Sequence, residues 1–201
     1  VYTQDELEKI AAVLQVKSEQ FGRPILLISD EPYRFLAYDE ETVPPLLPVY
    51  PYSLVVSSFS KSLSMAGVRI GYIAMRPDMP GVGMLTGGLI LANRILGFVN
   101  APVIGQQIIA KAMDAGVDAS VYNERRKAMA ELLDEAGIEY SLPKGAFYFF
   151  PKSPIEDDKA FVDFLMQENI IAVPGSGFGY PGYFRLSYCV DVSIIRSARQ
   201  A

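Results

Sequence analysis

The sequence predicts an α/β fold, a mostly parallel sheet followed by a smaller α+β segment. Three observations carry this reading. Short, continuously apolar runs such as Pro24–Ser29 and Leu54–Ser57 have the composition of strands buried on both faces, as in parallel sheets. Helical periodicity flanks these runs, the alternation expected of α/β architecture. Beyond about residue 140 the pattern changes to short aromatic strands interleaved with short helices. At 201 residues, 50% of them hydrophobic, the chain is long enough to bury roughly 70% of its unfolded surface.

The elements follow in order. Thr3 and Glu6 form a capping box ahead of Leu7, Ile10, Ala11 and Leu14, so a helix is predicted to start there and end near Phe21-Gly22. Pro24–Ser29 is the first strand, and Pro44, Pro45, Pro48 and Pro51 mark an irregular connection to the second, Leu54–Ser57. Arg69–Met75 reads as a third strand. A helical region follows, with a long connecting helix near 110–136 that places Tyr122, Met129, Leu133 and Ala136 on one face and stops at Gly137. Strands are then expected over Ala146–Phe150, Ile170–Val173 and Tyr183–Ser187, and helices over Asp157–Glu168 and from Val192. Buried strands first and a smaller α+β segment second imply two lobes.

Composition excludes several chemistries. There is no histidine, hence no Ser-His-Asp triad, no Cys-His pair and no H-E-x-x-H zinc site. Cys189 is the single cysteine, which rules out an internal disulfide or CxxC motif and suits a reducing, cytoplasmic setting. A net charge of -5 without a basic run argues against nucleic acid as a partner. The apolar stretch Met79–Ala110 is broken by Gly81, Gly83, Gly87, Gly88, Gly97, Pro102 and Gly105, so no membrane span is expected. Val1–Leu7 lacks the basic flank of a signal peptide.

Acid–base work must therefore come from Lys, Tyr, Asp, Glu or a cofactor. Between Thr42 and Ile104 four basic residues (Lys61, Arg69, Arg76, Arg94) face one acid, Asp78, which points to a small bound anion. Asp30 closes the first strand and Tyr33 follows it, at the end of a strand where open α/β sheets bind ligands. Ser57-Ser58-Phe59-Ser60-Lys61 closes the second strand, and Lys61 among apolar neighbours suits an amine nucleophile. Arg69 offers a planar fork to a phosphate, with Ser58 and Ser60 as further donors. Ser58-x-x-Lys61 alone also matches the S-x-x-K of β-lactamases, although the partner S-D-N motif is missing. Arg185, mid-strand in Phe184-Arg185-Leu186-Ser187, needs a partner: a structural carboxylate or a substrate carboxylate.

Together ISDEPYRF (28–35), SSFSKSLSMAGVRIGY (57–72), KGAFYFFP (144–151) and PGSGFGYPGYFRLSY (174–188) resemble the class I/II, fold-type-I pyridoxal-phosphate aminotransferases, the aspartate aminotransferase group. The resemblance covers the whole chain in the family's order. It implies that Lys61 holds the cofactor aldehyde as a Schiff base and shuttles a proton, and that Asp30 pairs with the pyridine nitrogen. Tyr33 would bond the phenolic oxygen, Ser58, Arg69 and more weakly Ser60 the phosphate, and Arg185 the substrate α-carboxylate. It further implies a carboxyl-terminal half, with residues 1–115 belonging to the large cofactor-binding domain and 116–201 to the small domain. Such a fragment is expected to be inactive alone and to form a homodimer only as part of a longer protein. Amino acids and 2-keto acids are the implied substrates, aspartate and 2-oxoglutarate first. A pyridoxal-phosphate-dependent lyase or the sensor domain of a regulator is the alternative.

Overall fold

The computed structural model describes residues 1–39 and 41–200. The chain divides into two compact units: Val1–Phe35 with Thr42–Val117, and Leu36–Glu41 with Asp118–Ala201.

In the first unit α1 (Gln4–Phe21) begins at the predicted capping box, Thr3 Oγ1 accepting from Glu6 N–H, and ends at Gly22 in the left-handed region. Strands β1 (Leu27–Asp30), β2 (Ser53–Ser58) and β3 (Gly71–Met75) form a sheet in that order. β1 runs parallel to β2 with Asp30 opposite Val56, and β3 returns antiparallel with Gly71 opposite Ser58. The expectation that these strands are buried on both faces does not hold within this chain. Ile28 is 59% exposed, and Tyr72 and Ile73, consecutive in β3 and so on opposite faces, are also exposed, so neither face of the sheet is fully covered.

Between β2 and β3 lie the single-turn helix α2 (Phe59–Ser62) and a 3-10 turn, Ala66–Val68. The third strand starts at Gly71, not Arg69: Arg69 sits at φ +58, a left-handed conformation that no strand accommodates. Helices α3 (Val82–Ile95) and α4 (Val103–Ala112) complete this unit. The long helix expected near 110–136 is two helices, because α4 ends at Ala112 and α5 (Ala119–Glu135) starts afresh. The physical reason is a new N-cap: Asp118 accepts from the Ser120 backbone N–H.

The second unit packs α5, α6 (Asp158–Gln167) and α7 (Val192–Ser197) with a sheet of order β4 (Tyr148–Phe149), β6 (Phe184–Ser187), β5 (Val173–Pro174). Both pairings are antiparallel. The aromatic strand is shorter than expected, and the strand expected at Ile170–Val173 is displaced to Val173–Pro174. Phe149, Phe184 and Tyr188 are almost fully buried and form its core with Leu186 and Phe161. Buried Arg126 ties Leu36–Glu41 into this unit, donating to the Asp39 carboxylate at 2.7 Å and to the Pro143 carbonyl at 2.8 Å while stacking over Tyr38. Among the described residues no helix is long and apolar enough to cross a membrane.

Candidate functional site

The carboxyl end of the β1–β2 pair concentrates the sequence-predicted residues of the first unit. Asp30 is the last residue of β1 and is exposed. The turn after it is tied to β2 twice: Glu31 N–H donates to the Val56 carbonyl, and Ser57 Oγ donates to the Glu31 carbonyl at 3.0 Å. Tyr33, half-buried, lies in this turn. Ser58 ends β2 as the N-cap of α2 without using its hydroxyl to cap it, and Ser60 and Lys61 lie on that turn.

Ser58, Ser60 and Arg69 line one cavity of about 580 Å³. Asn93 and Asn100 line it too, and among the described residues no Asp or Glu does. A guanidinium and several neutral donors without a competing carboxylate make a small-anion site. Arg69 pays for its place with a left-handed backbone, and its guanidinium donates to the Ala66 carbonyl at 3.1 Å. A non-glycine residue held there costs on the order of 1–2 kcal/mol, strain of the kind that clusters at ligand sites. Lys61 adjoins this cavity in sequence without lining it, and Asp30 and Tyr33 do not line it either.

Close backbone approach shapes the same corner. A Cβ on Gly71 would fall 2.5 Å from the Ser57 carbonyl oxygen, so only glycine lets β3 lie this near the segment leading to Lys61.

Arg185 belongs to the second unit, on the central strand β6. Phe184 and Leu186 point into the core, and the period of two turns Arg185 to the other face, where it is half-buried. Its guanidinium lies 4.7 Å from the Tyr148 ring centroid and 4.6 Å from that of Phe178. Among the described residues it has no hydrogen bond and no ion pair. Among the described residues no structural carboxylate pairs with it.

Sequence reading missed Asn93, Asn100, Tyr148 and Phe178. The two asparagines fall in an otherwise apolar, glycine-rich stretch, where an isolated carboxamide was the available signal. The two aromatic residues are 37 and 7 positions from Arg185 and carry no local signature.

A lysine-bearing turn ends a strand of the parallel pair, adjacent in sequence to residues that line an anion cavity, an arrangement that solved fold-type-I transferases share in overall fold. Solved structures agree: an aminotransferase from Eubacterium rectale superimposes with a TM-score of 0.94 at 38% identity, covering 100% of this chain and 50% of that one. The aspartate aminotransferase of Thermotoga maritima gives 0.81 at 28% identity, covering 100% and 51%. The family model for class I and II aminotransferases matches residues 1–201, and the chain belongs to that family. An aspartate aminotransferase of Bacillus sp. (strain YM-2) is 31% identical over 98% of this chain and 52% of its own length. An asparagine–oxo-acid transaminase of Streptococcus mutans is likewise 31% identical, over 98% and 52%. The chain spans about half the length of the curated relatives it matches.

Proposed function

We infer that this chain supplies the lysine-bearing part of an aminotransferase, which moves the amino group of an amino acid to a 2-oxo acid with pyridoxal phosphate. The observation that carries this reading is the convergence of Ser58, Ser60 and Arg69, spread over twelve sequence positions, on one carboxylate-free cavity beside the Lys61 turn. That donor set fits the phosphate of such a cofactor: a planar guanidinium and two hydroxyls complement its oxygens. Bound there, the cofactor supplies an electron-accepting ring that stabilises the charge left when a proton leaves the substrate Cα.

In this reading Lys61 anchors the aldehyde carbon and, once released, carries the proton from Cα. Asp30, at the end of β1, keeps a proton on the ring nitrogen. Tyr33 donates to the phenolic oxygen. Arg185 binds the α-carboxylate through its in-plane N–H groups, which no protein group occupies among the described residues. The first unit then corresponds to the carboxyl-terminal part of the large domain and the second to the small domain. Aspartate and 2-oxoglutarate are the first substrate pair to test.

The test is borohydride reduction of the intact, cofactor-loaded protein followed by peptide mapping. The label is expected on the peptide holding Lys61. Label on Lys144 or Lys152 instead would sink the assignment.

A further inference from the structure

We propose that Tyr148 and Phe178 are positioning residues that fix the plane of the Arg185 guanidinium, so that this site reads a planar carboxylate and rejects a tetrahedral oxyanion. The inference rests on the reading of Arg185 as the carboxylate-binding group and deepens it.

The sheet register builds one half of the arrangement. Tyr148 pairs with Ser187 across β4 and β6, and Arg185, two residues before Ser187, shares its face. A diagonal neighbour of this kind lies within reach of an aromatic ring and a long side chain. The other half comes from the 3-10 turn Gly175–Phe178 that follows β5. Three features hold that turn. The Ser176 backbone N–H donates to buried Asp158 at 2.6 Å. Gly179 sits at φ +73. A Cβ on Gly175 would come within 2.3 Å of the Tyr180 carbonyl, so the chain can pass there only as glycine. Phe178 also meets Phe150, which stacks on Tyr183 with an interplanar angle of 6°. The ring is braced, not merely nearby.

The guanidinium carbon lies over the Tyr148 ring at 4.7 Å and over the Phe178 ring at 4.6 Å, the geometry of a cation–π contact with each. All five N–H groups point outward along the edge of the guanidinium plane, the direction that rings stacked on its faces would leave open. Lacking any ion pair among the described residues, that edge has no competitor to displace. A carboxylate lies in the guanidinium plane and takes two parallel N–H···O bonds. A phosphonate carries oxygens above and below that plane, where rings stacked on the guanidinium would offer no donors. Holding the fork rigid also removes rotamer freedom before the ligand arrives, a cost otherwise taken from affinity.

The experiment compares an amino acid with its aminophosphonate analogue on the intact, cofactor-loaded protein, with Kd for a non-reacting monocarboxylate, propionate, measured by calorimetry. Phe178→Leu and Tyr148→Leu should each raise KM for the amino acid and Kd for propionate about fivefold. The expected change in kcat is under twofold, and preference for carboxylate over phosphonate should fall. Phe178→Tyr and Tyr148→Phe keep a ring and should retain wild-type values. Phe178 is 50% exposed, so its truncation opens no core cavity, and a matching circular-dichroism melt checks the fold. In an Arg185→Ala background the ring substitutions should have no further effect. Ring variants that keep the wild-type KM, Kd and selectivity, while Arg185→Ala weakens both ligands, would overturn the positioning role alone. If Arg185→Ala leaves carboxylate affinity intact, the underlying reading of Arg185 falls with it.

Discussion

Gly71→Ala tests whether the lysine-bearing corner depends on the close approach of β2 and β3. The added Cβ would stand 2.5 Å from the Ser57 carbonyl oxygen and 3.2–3.3 Å from Ser58 Cβ and Cα. Favourable heavy-atom contact lies near 3.5 Å or beyond, so the strands must part by roughly 1 Å. The atom in the way is backbone, held by pairing of Ser57 with Tyr72 and Ser58 with Gly71, and it cannot rotate aside. Overpacking of this kind costs about 1–3 kcal/mol. The displaced segment carries Ser58, which lines the anion cavity, so cofactor affinity should fall together with stability. Gly67→Ala is the control four residues away. Nothing lies within 4 Å of its new Cβ and its φ is ordinary, so stability should stay within about 0.5 kcal/mol or rise slightly. Urea unfolding midpoints and equilibrium cofactor binding on the intact protein read both quantities. Equal midpoints and equal affinities for the two variants would refute the reasoning.

Three further outcomes follow from the second unit. Arg126→Met removes donors to Asp39, Pro143 and Asn123 from a site where Arg126 is 2% exposed. Because Asp39 itself is half-exposed, the loss should sit near the low end for a broken buried pair, about 3 kcal/mol by urea titration. Burial, then the Tyr38 hydroxyl, push the Tyr188 phenol well above its ordinary value near 10. That raised value means its contribution is complete below about pH 10 and fades as pH rises beyond, because the unfolded tyrosine ionises first. Stability measured from pH 8 to 11 should fall at the alkaline end, and Tyr188→Phe should flatten the fall. Arg185→Lys keeps charge and loses the fork, so 2-oxo acid affinity should drop about tenfold or more with cofactor binding retained. If amines lacking a carboxylate lose reactivity equally in that variant, Arg185 is structural.

What was legible in the sequence follows from what is local. The capping box at Thr3 and Glu6, the turn after Asp30 and the serine–lysine turn after β2 each depend on residues a few positions apart, and each stands where the pattern put it. The break in the long helix was also local, written in Asp118-x-Ser120 after Gly116, but the apolar spacing across it masked the cap. Arg69 was misread because strand propensity covers its neighbours, whereas its own conformation is set by the 3-10 turn before it. The environment of Arg185 was beyond reach for a different reason. Its two rings arrive from separate elements, and only sheet register and a braced turn bring them together.

The open faces of the first unit lead to a last prediction. The described β1–β3 sheet leaves Ile28, Tyr72 and Ile73 exposed, and α3 has no buried residue, with Met84, Ile90, Leu91 and Ile95 exposed. The chain exposes 12758 Å². A compact monomer of 22.1 kDa exposes about 9,300 Å², and even two separate globular bodies of half that mass would expose only about 11,300 Å². The excess is thus independent of how the two units are arranged, and large hydrophobic side chains are among the exposed residues. Exposed apolar area of this extent is covered by more polypeptide in any soluble state, whether further chain of the same protein or other copies. Among the described residues β1 and β3 are the edges of their sheet, and an edge strand adds a template for association. Expressed as these 201 residues alone, the protein should therefore self-associate, bind a hydrophobic dye, and show no transamination of aspartate with 2-oxoglutarate. Sedimentation equilibrium, dye fluorescence and a coupled assay read the three outcomes. A monodisperse, dye-silent monomer that turns over both substrates would show that this chain needs no additional cover.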